Sequence, residues 1–319
     1  MRAIACWPML LSALLMFPVA ATAQDRSVLR LVAPYPAGGN IDVVARIIAQ
    51  PLSAELGRPV IVDNRAGGSG MIGSAFVARA APDGGTLLLN TSIQVVLPHL
   101  MKLPYDTLND FTPLAAVNSL PYWLVVAKDS PFRSVDEVVA YAKANPGKLN
   151  FASNSTGGGS HLAGEQFKKI AGVDITHIPY KGAPAAIADL MGGQVQIMFE
   201  QGPAVGGFVK NGQLRALATT SRQRSAMHPD VPTFAEAGYP AFVYSNWQGI
   251  WGPPKMSAEV SERLEHALTK VLQSPAVRQR LLELNTEPLD LTGDKFRNFV
   301  LEQYEVNREI VKSANVKLE

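Results

Sequence analysis

The sequence predicts an α/β fold with two domains and mainly parallel sheets flanked by helices. Apolar strand-like runs alternate with segments of helical spacing over most of the chain, as expected when parallel strands are joined by crossover helices. A chain of 319 residues is long enough for two domains that each bury a core. Glycine-rich turns follow several predicted strands, which indicates sharp turns or close approach of a ligand to the backbone.

The first 23 residues are predicted to be a signal peptide. They contain a single charge, Arg2, then an apolar run interrupted by Pro8 and Pro18, and they end in the small-x-small sequence ATA. We expect cleavage after Ala23 and a periplasmic location, with a retained anchor helix as the alternative. Cys6 is the only cysteine, so the mature chain is expected to contain no thiol.

The charge balance points to a small partner. The chain has 29 basic and 27 acidic residues, and removal of Arg2 leaves 28 against 27. A nucleic-acid binder needs a cluster of basic residues, and a membrane-surface binder needs a basic amphipathic helix. The sequence shows no block of like charge and no basic amphipathic helix. We therefore expect neither of these partners.

The first third of the chain contains two strand-turn-helix units. Residues 28–34 are predicted to form a strand, 41–56 a helix that ends at Gly57, and 59–62 the next strand. The second unit consists of NRAGGSG, a helix through residues 76–80, and the strand TLLLNTS.

The pattern starts again after Pro121 and changes near the C-terminus. YWLVVAKDS, KLNFAS, DITHIPY and QVQIMFE read as strands, and helices are predicted around 135–144, at 160–170 and in PAAIADLMGG. The last third is predicted to be mostly amphipathic helix, with Ser274 and Pro275 at one helix start.

Sequence motifs for nucleotide binding are incomplete. Residues 68–73 match G-x-G-x-x-G between a strand and a helix, but the next strand ends in Asn90 rather than in an acidic residue that would hold a ribose. No phosphate-binding loop of the G-x-x-x-x-G-K-[ST] type is present. We expect no cofactor.

Catalytic and metal motifs are also missing. No G-x-S-x-G is present, and Ser160 and His161 are neighbours on a predicted helix, where adjacent side chains do not face each other. No zinc-type spacing relates the five histidines, which are His99, His161, His177, His228 and His266. We therefore expect neither an enzyme nor a metal site, with an exported hydrolase-like enzyme as the alternative.

Two glycine-rich loops are the strongest candidates for a binding site. Each precedes a predicted helix, whose first turn offers unpaired backbone N–H groups and the positive end of the helix dipole. Side chains at Gly38, Gly39 or residues 157–159 would keep an anion from these groups. If both helix starts face one cleft, they can bind two carboxylates; the alternative is that both loops are only tight turns.

Several long motifs resemble one protein family. These motifs are YPAGGNID followed by AR, VDNRAGGSGMIGSAFVARAAPDGGTLLL, NSTGGGSHLAGEQFKKIAGVDITHIPYKGAPAAIADLMGGQVQIMF, LRALATTS and DVPTFAEAGYP. In this order they are similar to the Bug family, the extracytoplasmic solute-binding proteins of tripartite tricarboxylate transporters. The resemblance covers essentially the whole mature chain.

The resemblance implies a two-domain periplasmic binding protein fold with two crossover segments, which closes like a flytrap over a carboxylate. The first domain is expected to comprise residues 24–123 and 247–319, and the second residues 124–246. The protein is expected to be a monomer that delivers a di- or tricarboxylate to a membrane permease. A ligand-loaded partner of a membrane sensor is a further alternative. The ligand-binding residues that it implies are Ala37, Gly38, Gly39, Asn40, Ser69, Gly70, Thr91, Ser92, Ser153, Thr156, Gly157, Ser160, His161, Tyr180, Lys181, Phe199 and Gln201.

Asp42 is expected to act differently. It lies in the first turn of a predicted helix and four residues before Arg46, so we expect a helix cap and an ion pair rather than a ligand contact. The chain also departs from the family pattern at Ala37, at Gly85 and at the pair Glu200 and Gln201. The last departure falls in the predicted site, where a longer acid and a larger amide reshape the binding surface.

Overall fold

The computed structural model describes residues 28–314, so the predicted signal peptide lies outside the described residues. The strands are β1 (Leu29–Ala33), β2 (Val60–Asn64), β3 (Thr86–Thr91), β4 (Thr112–Ala127), β5 (Asn150–Ser153), β6 (Thr176–Pro179), β7 (Ile197–Gln201), β8 (Leu214–Thr219), β9 (Ser245–Gly252) and β10 (Glu287–Thr292). The α-helices are α1 (Asn40–Leu56), α2 (Met71–Ala78), α3 (Ile93–Val96), α4 (Val135–Ala144), α5 (Gly159–Ala171), α6 (Ala183–Met191), α7 (Gly202–Lys210), α8 (Ala258–Gln273), α9 (Pro275–Glu283) and α10 (Asp294–Ala314).

The strands form two sheets that share β4. The first sheet has the order β2-β1-β3-β9-β4-β10, and the second has the order β6-β5-β7-β4, with β8 also paired to β4. The first part of β4, from Thr112 to Pro121, pairs with β9. From Tyr122 onwards the same strand pairs with β7. The chain therefore passes from one sheet to the other along a single continuous strand.

The α/β class is confirmed, but the sheets are mixed rather than mainly parallel. The outer strands pair in parallel as expected, β1 with β2 and β3, and β5 with β6 and β7. The pairings of β4 and β9 are antiparallel. The reason is that the chain leaves the first sheet along β4 and returns beside it along β9, so these two strands must run in opposite directions.

Both faces of both sheets are covered by apolar side chains. On β1, Leu31 belongs to one buried cluster and Val32 to another, because successive strand residues point to opposite faces. On β4, Leu124 and Val125 divide in the same way between two clusters of the second sheet. This two-sided burial is typical of sheets flanked by helices.

The helix starts fall into two groups. Ser134, Ser257 and Ser274 each accept a hydrogen bond from the backbone N–H three residues later, which caps α4, α8 and α9. The predicted start at Ser274 is thereby confirmed. In contrast, the N-cap residues of α1 and α5 are Gly39 and Gly158, which supply no side-chain cap.

Within residues 28–314, no helix combines the length and the apolar character that a membrane crossing requires.

Close packing on α5 gives a test of the fold. A Cβ added at Gly164 would lie 2.1 Å from Cε2 of Phe151, whereas one added at Gly207 on α7 would meet nothing within 4 Å. We expect Gly164→Ala to lower the free energy of unfolding by about 1–3 kcal/mol through overpacking. The matched variant Gly207→Ala should raise it by up to about 1 kcal/mol, because alanine is the better helix former. Denaturant unfolding measures both changes, and equal effects would contradict the packing of α5 on β5.

Candidate functional site

A cavity of about 540 Å³ lies where β4 passes between the sheets. The predicted site residues that line it are Gly39, Asn40, Ser69, Thr91, Ser92, Gly157 and Gln201. Its other lining residues are Tyr35, Pro36, Ile41, Ile93, Val96, Leu120, Tyr122, Gly159, Leu162, Tyr244, Asn246 and Gln248. Both glycine-rich loops thus reach the same cavity.

The first loop positions the start of α1. Gly38 has a left-handed backbone with φ of 82°, and Gly39 is extended with φ of −75° and ψ of 168°. The N–H of Gly38 donates to Oδ2 of Asp42 at 2.9 Å, and Arg46 donates to both oxygens of the same carboxylate at 3.0 Å. These bonds lower the pKa of Asp42 to about 2, with Arg46 the largest cause. The expected ion pair of Asp42 with Arg46 is confirmed, but its other hydrogen bond comes from Gly38 in the loop and leaves the N–H groups of the first helical turn uncapped.

The second loop repeats this geometry at the start of α5. Gly157 is left-handed with φ of 74°, and Gly158 has the same φ of −75° and ψ of 168° as Gly39. The N–H of Gly157 donates to Nδ1 of His161 at 3.0 Å, just as Gly38 donates to Asp42. His161 is therefore equivalent in position to Asp42 and fixes its loop by accepting this hydrogen bond.

A stacked histidine pair supports this second loop. The rings of His161 and His177 stack with centroids 3.8 Å apart and an angle of 7°. Nε2 of His177 lies 2.6 Å from Oγ of Ser153. Burial is the largest cause that lowers the pKa of both histidines, to about 4 for His177. Both rings are therefore neutral at pH 7, which lets Nδ1 of His161 accept from the loop.

The two helix starts offer hydrogen-bond donors to the cavity. The first N–H groups of an α-helix have no partner within the helix, and neither Gly39 nor Gly158 supplies a side-chain cap. Each helix start also carries a positive partial charge of roughly half an elementary charge. Among the described residues, no charged side chain lines the cavity. The arrangement is suited to an anion held by backbone N–H groups.

The remaining predicted residues lie outside the lining. Ala37, Gly38, Gly70 and Thr156 belong to the loops that reach the cavity, but they do not line it. Ser153, Ser160, His161 and Phe199 are buried behind the second loop, where the Ser160 hydroxyl donates to the Phe199 carbonyl oxygen. The Tyr180 hydroxyl donates to Asp189 at 2.7 Å, and Lys181 is exposed. The structure does not bring these six side chains to the cavity.

Tyr122 is the most prominent lining residue that sequence reasoning missed. Its hydroxyl oxygen accepts from Nε2 of Gln201 at 2.9 Å and lies so close to α5 that a Cβ at Gly159 would be 2.0 Å away. Burial raises the pKa of Tyr122 well above its usual value, so the hydroxyl keeps its proton. Within the described part of the chain that proton has no acceptor. Tyr122 can therefore donate to a ligand.

Asn246 and Gln248 on β9 were also not predicted. Oδ1 of Asn246 accepts from the Ser92 hydroxyl at 2.6 Å and from the N–H of Trp247 at 2.9 Å, which fixes the amide at the cavity wall. Nε2 of Gln248 donates to Oδ1 of Asn40 at 3.3 Å, so β9 supports the first residue of α1. Both residues lie on the strand that returns the chain to the first sheet, where no motif marked them.

The loop that carries Ser69 has an unusual backbone. Ser69 has φ of 53° and ψ of 33°, and it stands in a run with positive φ at Gly67, Gly68 and Gly70. A non-glycine residue in this region is strained, and such strain concentrates at functional sites. The strained turn presents Ser69 to the cavity.

Glu200 lies behind the lining with both carboxyl oxygens satisfied. It is 2% exposed, and it accepts from Asn154 Nδ2 at 2.7 Å and from the N–H of Gln201 at 2.8 Å. Burial raises the pKa of Glu200 to about 7. Its side chain thus sets the position of Gln201 rather than contacting the cavity itself. In residues 28–314, no cluster of three or more potential metal-ligating side chains is found.

Comparison with known proteins identifies the family. Residues 44–316 match the family model of the tripartite tricarboxylate transporter family receptor, TctC. The chain belongs to this receptor family. It is 38% identical over 304 residues to the protein BugT of Bordetella pertussis (strain Tohama I), with 94% of this chain and 93% of BugT covered. The resemblance to the Bug family is thereby confirmed.

Solved structures of relatives share the fold. R. palustris Rpa4515, whose structure was determined with adipate, is 31% identical and has a TM-score of 0.75 over 91% of this chain and 97% of its own. MatC from Rhodopseudomonas palustris, with bound malate, is 28% identical and has a TM-score of 0.68 over 92% of this chain and 100% of its own. The two-domain solute-binding fold is confirmed. The family consists of receptors, so the chain is a solute-binding protein and not an enzyme.

The buried Glu200 predicts a pH dependence of stability. Its pKa in the folded chain is about 7 against an ordinary value of 4.5, so the folded state retains a proton that the unfolded state loses. Its contribution is therefore fully present below pH 4.5 and is lost as the pH rises to about 7. We expect the unfolding free energy of the parent, relative to Glu200→Gln, to fall by on the order of 3 kcal/mol over this range. Denaturant unfolding at several pH values measures this difference. Curves of unfolding free energy against pH that run parallel for the parent and Glu200→Gln would contradict the prediction.

Proposed function

We propose that this protein captures a small organic acid in the cavity between its two domains and delivers it to the permease of a tripartite tricarboxylate transporter. The observation that carries the proposal is that two uncapped helix starts, α1 and α5, face one cavity that no charged side chain lines. The adipate and malate in the structures of two relatives support an acid as the ligand.

Backbone donors are sufficient for such binding. Hydrogen bonds to a carboxylate are charge-assisted and are stronger than those between neutral groups. Several of them, combined with exclusion of water, can support micromolar affinity, which corresponds to about −8 kcal/mol. In this proposal Gly39 and Asn40, together with Ser69, Thr91 and Ser92, hold one end of the acid. Gly157, Gln201 and Tyr122 hold the other end.

The proposed domain boundaries remain at 123/124 and 246/247. The change of pairing partner on β4 between Pro121 and Tyr122 supports the first boundary. The start of β9 at Ser245 supports the second, because this strand returns the chain to the first sheet. Closure of the two domains about these segments would exclude water from the acid. We further propose that the chain is exported through a signal peptide cleaved after Ala23 and acts as a periplasmic monomer.

A substitution at the start of α1 tests the anion site. Gly39 has φ of −75°, which valine adopts, and its Cβ would approach only the Pro36 carbonyl oxygen at 3.3 Å. We expect Gly39→Val to fold but to lose at least tenfold in affinity, because the branched side chain covers the N–H groups of the first turn. The matched control is Gly207→Val, at a helix position with open space.

Isothermal titration with succinate, adipate and citrate gives the measurement. The acid that binds the parent tightest is then used for both variants. Equal affinity of Gly39→Val and the control would refute the anion site at α1.

Closure is tested by small-angle X-ray scattering. We expect the radius of gyration to fall saturably as the same acid is added, with a midpoint at the titration Kd. Tryptophan emission is the weaker probe, because Trp247 and Trp251 pack with Phe296 inside the core of the first domain. Binding without any change in the scattering curve would argue against closure and against the proposed boundaries.

A further inference from the structure

The cavity has one apolar wall that no role in anion binding explains. Ile93 and Val96 on α3, Leu120 on β4 and Leu162 on α5 all line it. Three of these side chains, Val96, Leu120 and Leu162, are at most 5% exposed, so they form a continuation of the core rather than a solvated surface. A ligand that fills the cavity must place part of its skeleton against this wall.

The electrostatics of the cavity limit the charge of the ligand. With no cation among the described lining residues, the positive potential comes from two helix starts of roughly half a charge each. Two acidic side chains lie behind the lining and do not contact the cavity: Asp42 is ionised and paired with Arg46, and Glu200 is buried behind Gln201. Two carboxylates match the two helix starts, but a third would have no donor group of this kind.

A hydroxylated skeleton fits the wall poorly. A hydroxyl group that leaves water for a position against Val96 or Leu120 loses its hydrogen bonds without replacement, and such a loss is costly. An unsubstituted hydrocarbon spacer gains free energy from the same burial. Family membership does not decide this question, because relatives were solved with adipate, which has a plain spacer, and with malate, which has a hydroxyl group.

We infer that this chain selects dicarboxylates with an unsubstituted hydrocarbon spacer over hydroxylated dicarboxylates and over tricarboxylates. The inference rests on the proposed function and specifies its ligand. Each carboxylate lies at one helix start, and the spacer packs against the apolar wall formed by Ile93, Val96, Leu120 and Leu162.

The experiment compares acids that share a carbon skeleton. Isothermal titration of the full mature chain uses succinate, malate and tartrate, which differ by successive hydroxyl groups, and then adipate, its tetrahydroxy analogue galactarate, and citrate. We expect at least a fivefold loss in affinity per hydroxyl group in whichever series binds. Citrate should bind at least a hundredfold more weakly than the best plain dicarboxylate.

A variant locates the selectivity on the wall. Val96→Thr keeps the shape of the side chain but adds a hydroxyl group, so we expect the ratio of plain to hydroxylated affinities to fall at least threefold. The ratio is measured on one sample and therefore does not depend on the fraction that is folded. The control is Val306→Thr on the exposed face of α10, where the side chain is 37% exposed and the ratio should not change.

The outcomes separate the two proposals. Tartrate, galactarate or citrate binding as tightly as the plain acids would overturn this inference and leave the proposed function intact. An unchanged ratio in Val96→Thr would overturn the assignment to the wall. Failure of all six acids to bind would overturn the proposed function, and the inference with it.

Discussion

The site depends on one constraint, which is that β4 belongs to both sheets. Its residues up to Pro121 pair with β9, and those from Tyr122 pair with β7. In each sheet a parallel pair of strands, β1 with β3 and β5 with β7, ends in loops at the cavity. Ligands of open α/β sheets bind at the carboxyl ends of strands. A single strand that crosses between sheets therefore brings two such ends to one place.

The two loops reach the same conformation with different chemistry. Each has a left-handed glycine, then an extended glycine, and then a helix whose third residue accepts a hydrogen bond from the first glycine. At α1 that residue is the ionised Asp42, and at α5 it is the neutral His161. Because Arg46 donates to both oxygens of Asp42, this pair carries no net charge. Both helix starts therefore keep the positive potential of the helix dipole, although one loop is held by an ion pair and the other by a neutral ring.

The sequence predicts the loops better than it predicts the walls. The spacing of apolar residues and the placement of glycine are local signals. They located α1, α5 and both turns to within a residue or two. The strands β9 and β10 were not predicted, because their sequences carry no such local signal. Each forms by pairing with β4, which lies far away in sequence. Ser160 was expected at the ligand because the family resemblance implied it, but its direction on the helix takes its hydroxyl to the Phe199 carbonyl. Tyr122 was predicted only as the first residue of the strand YWLVVAKDS, and nothing local indicates that its hydroxyl reaches α5.

Helix α10 restricts how the proposed closure can occur. Its first half packs on the first domain through Phe296 and Val300, whereas Ile310 and Val311 near its end belong to the core cluster of the second. His99 also contacts the backbone carbonyl of Tyr304 in the middle of the helix, at 3.0 Å. If the domains moved only about a hinge in β4 and β9, the end of α10 would either separate from α5 or have to move together with the second domain. Because packed helices tolerate small sliding movements better than separation, the closure that this structure permits is a rotation accompanied by shear between α10 and α5.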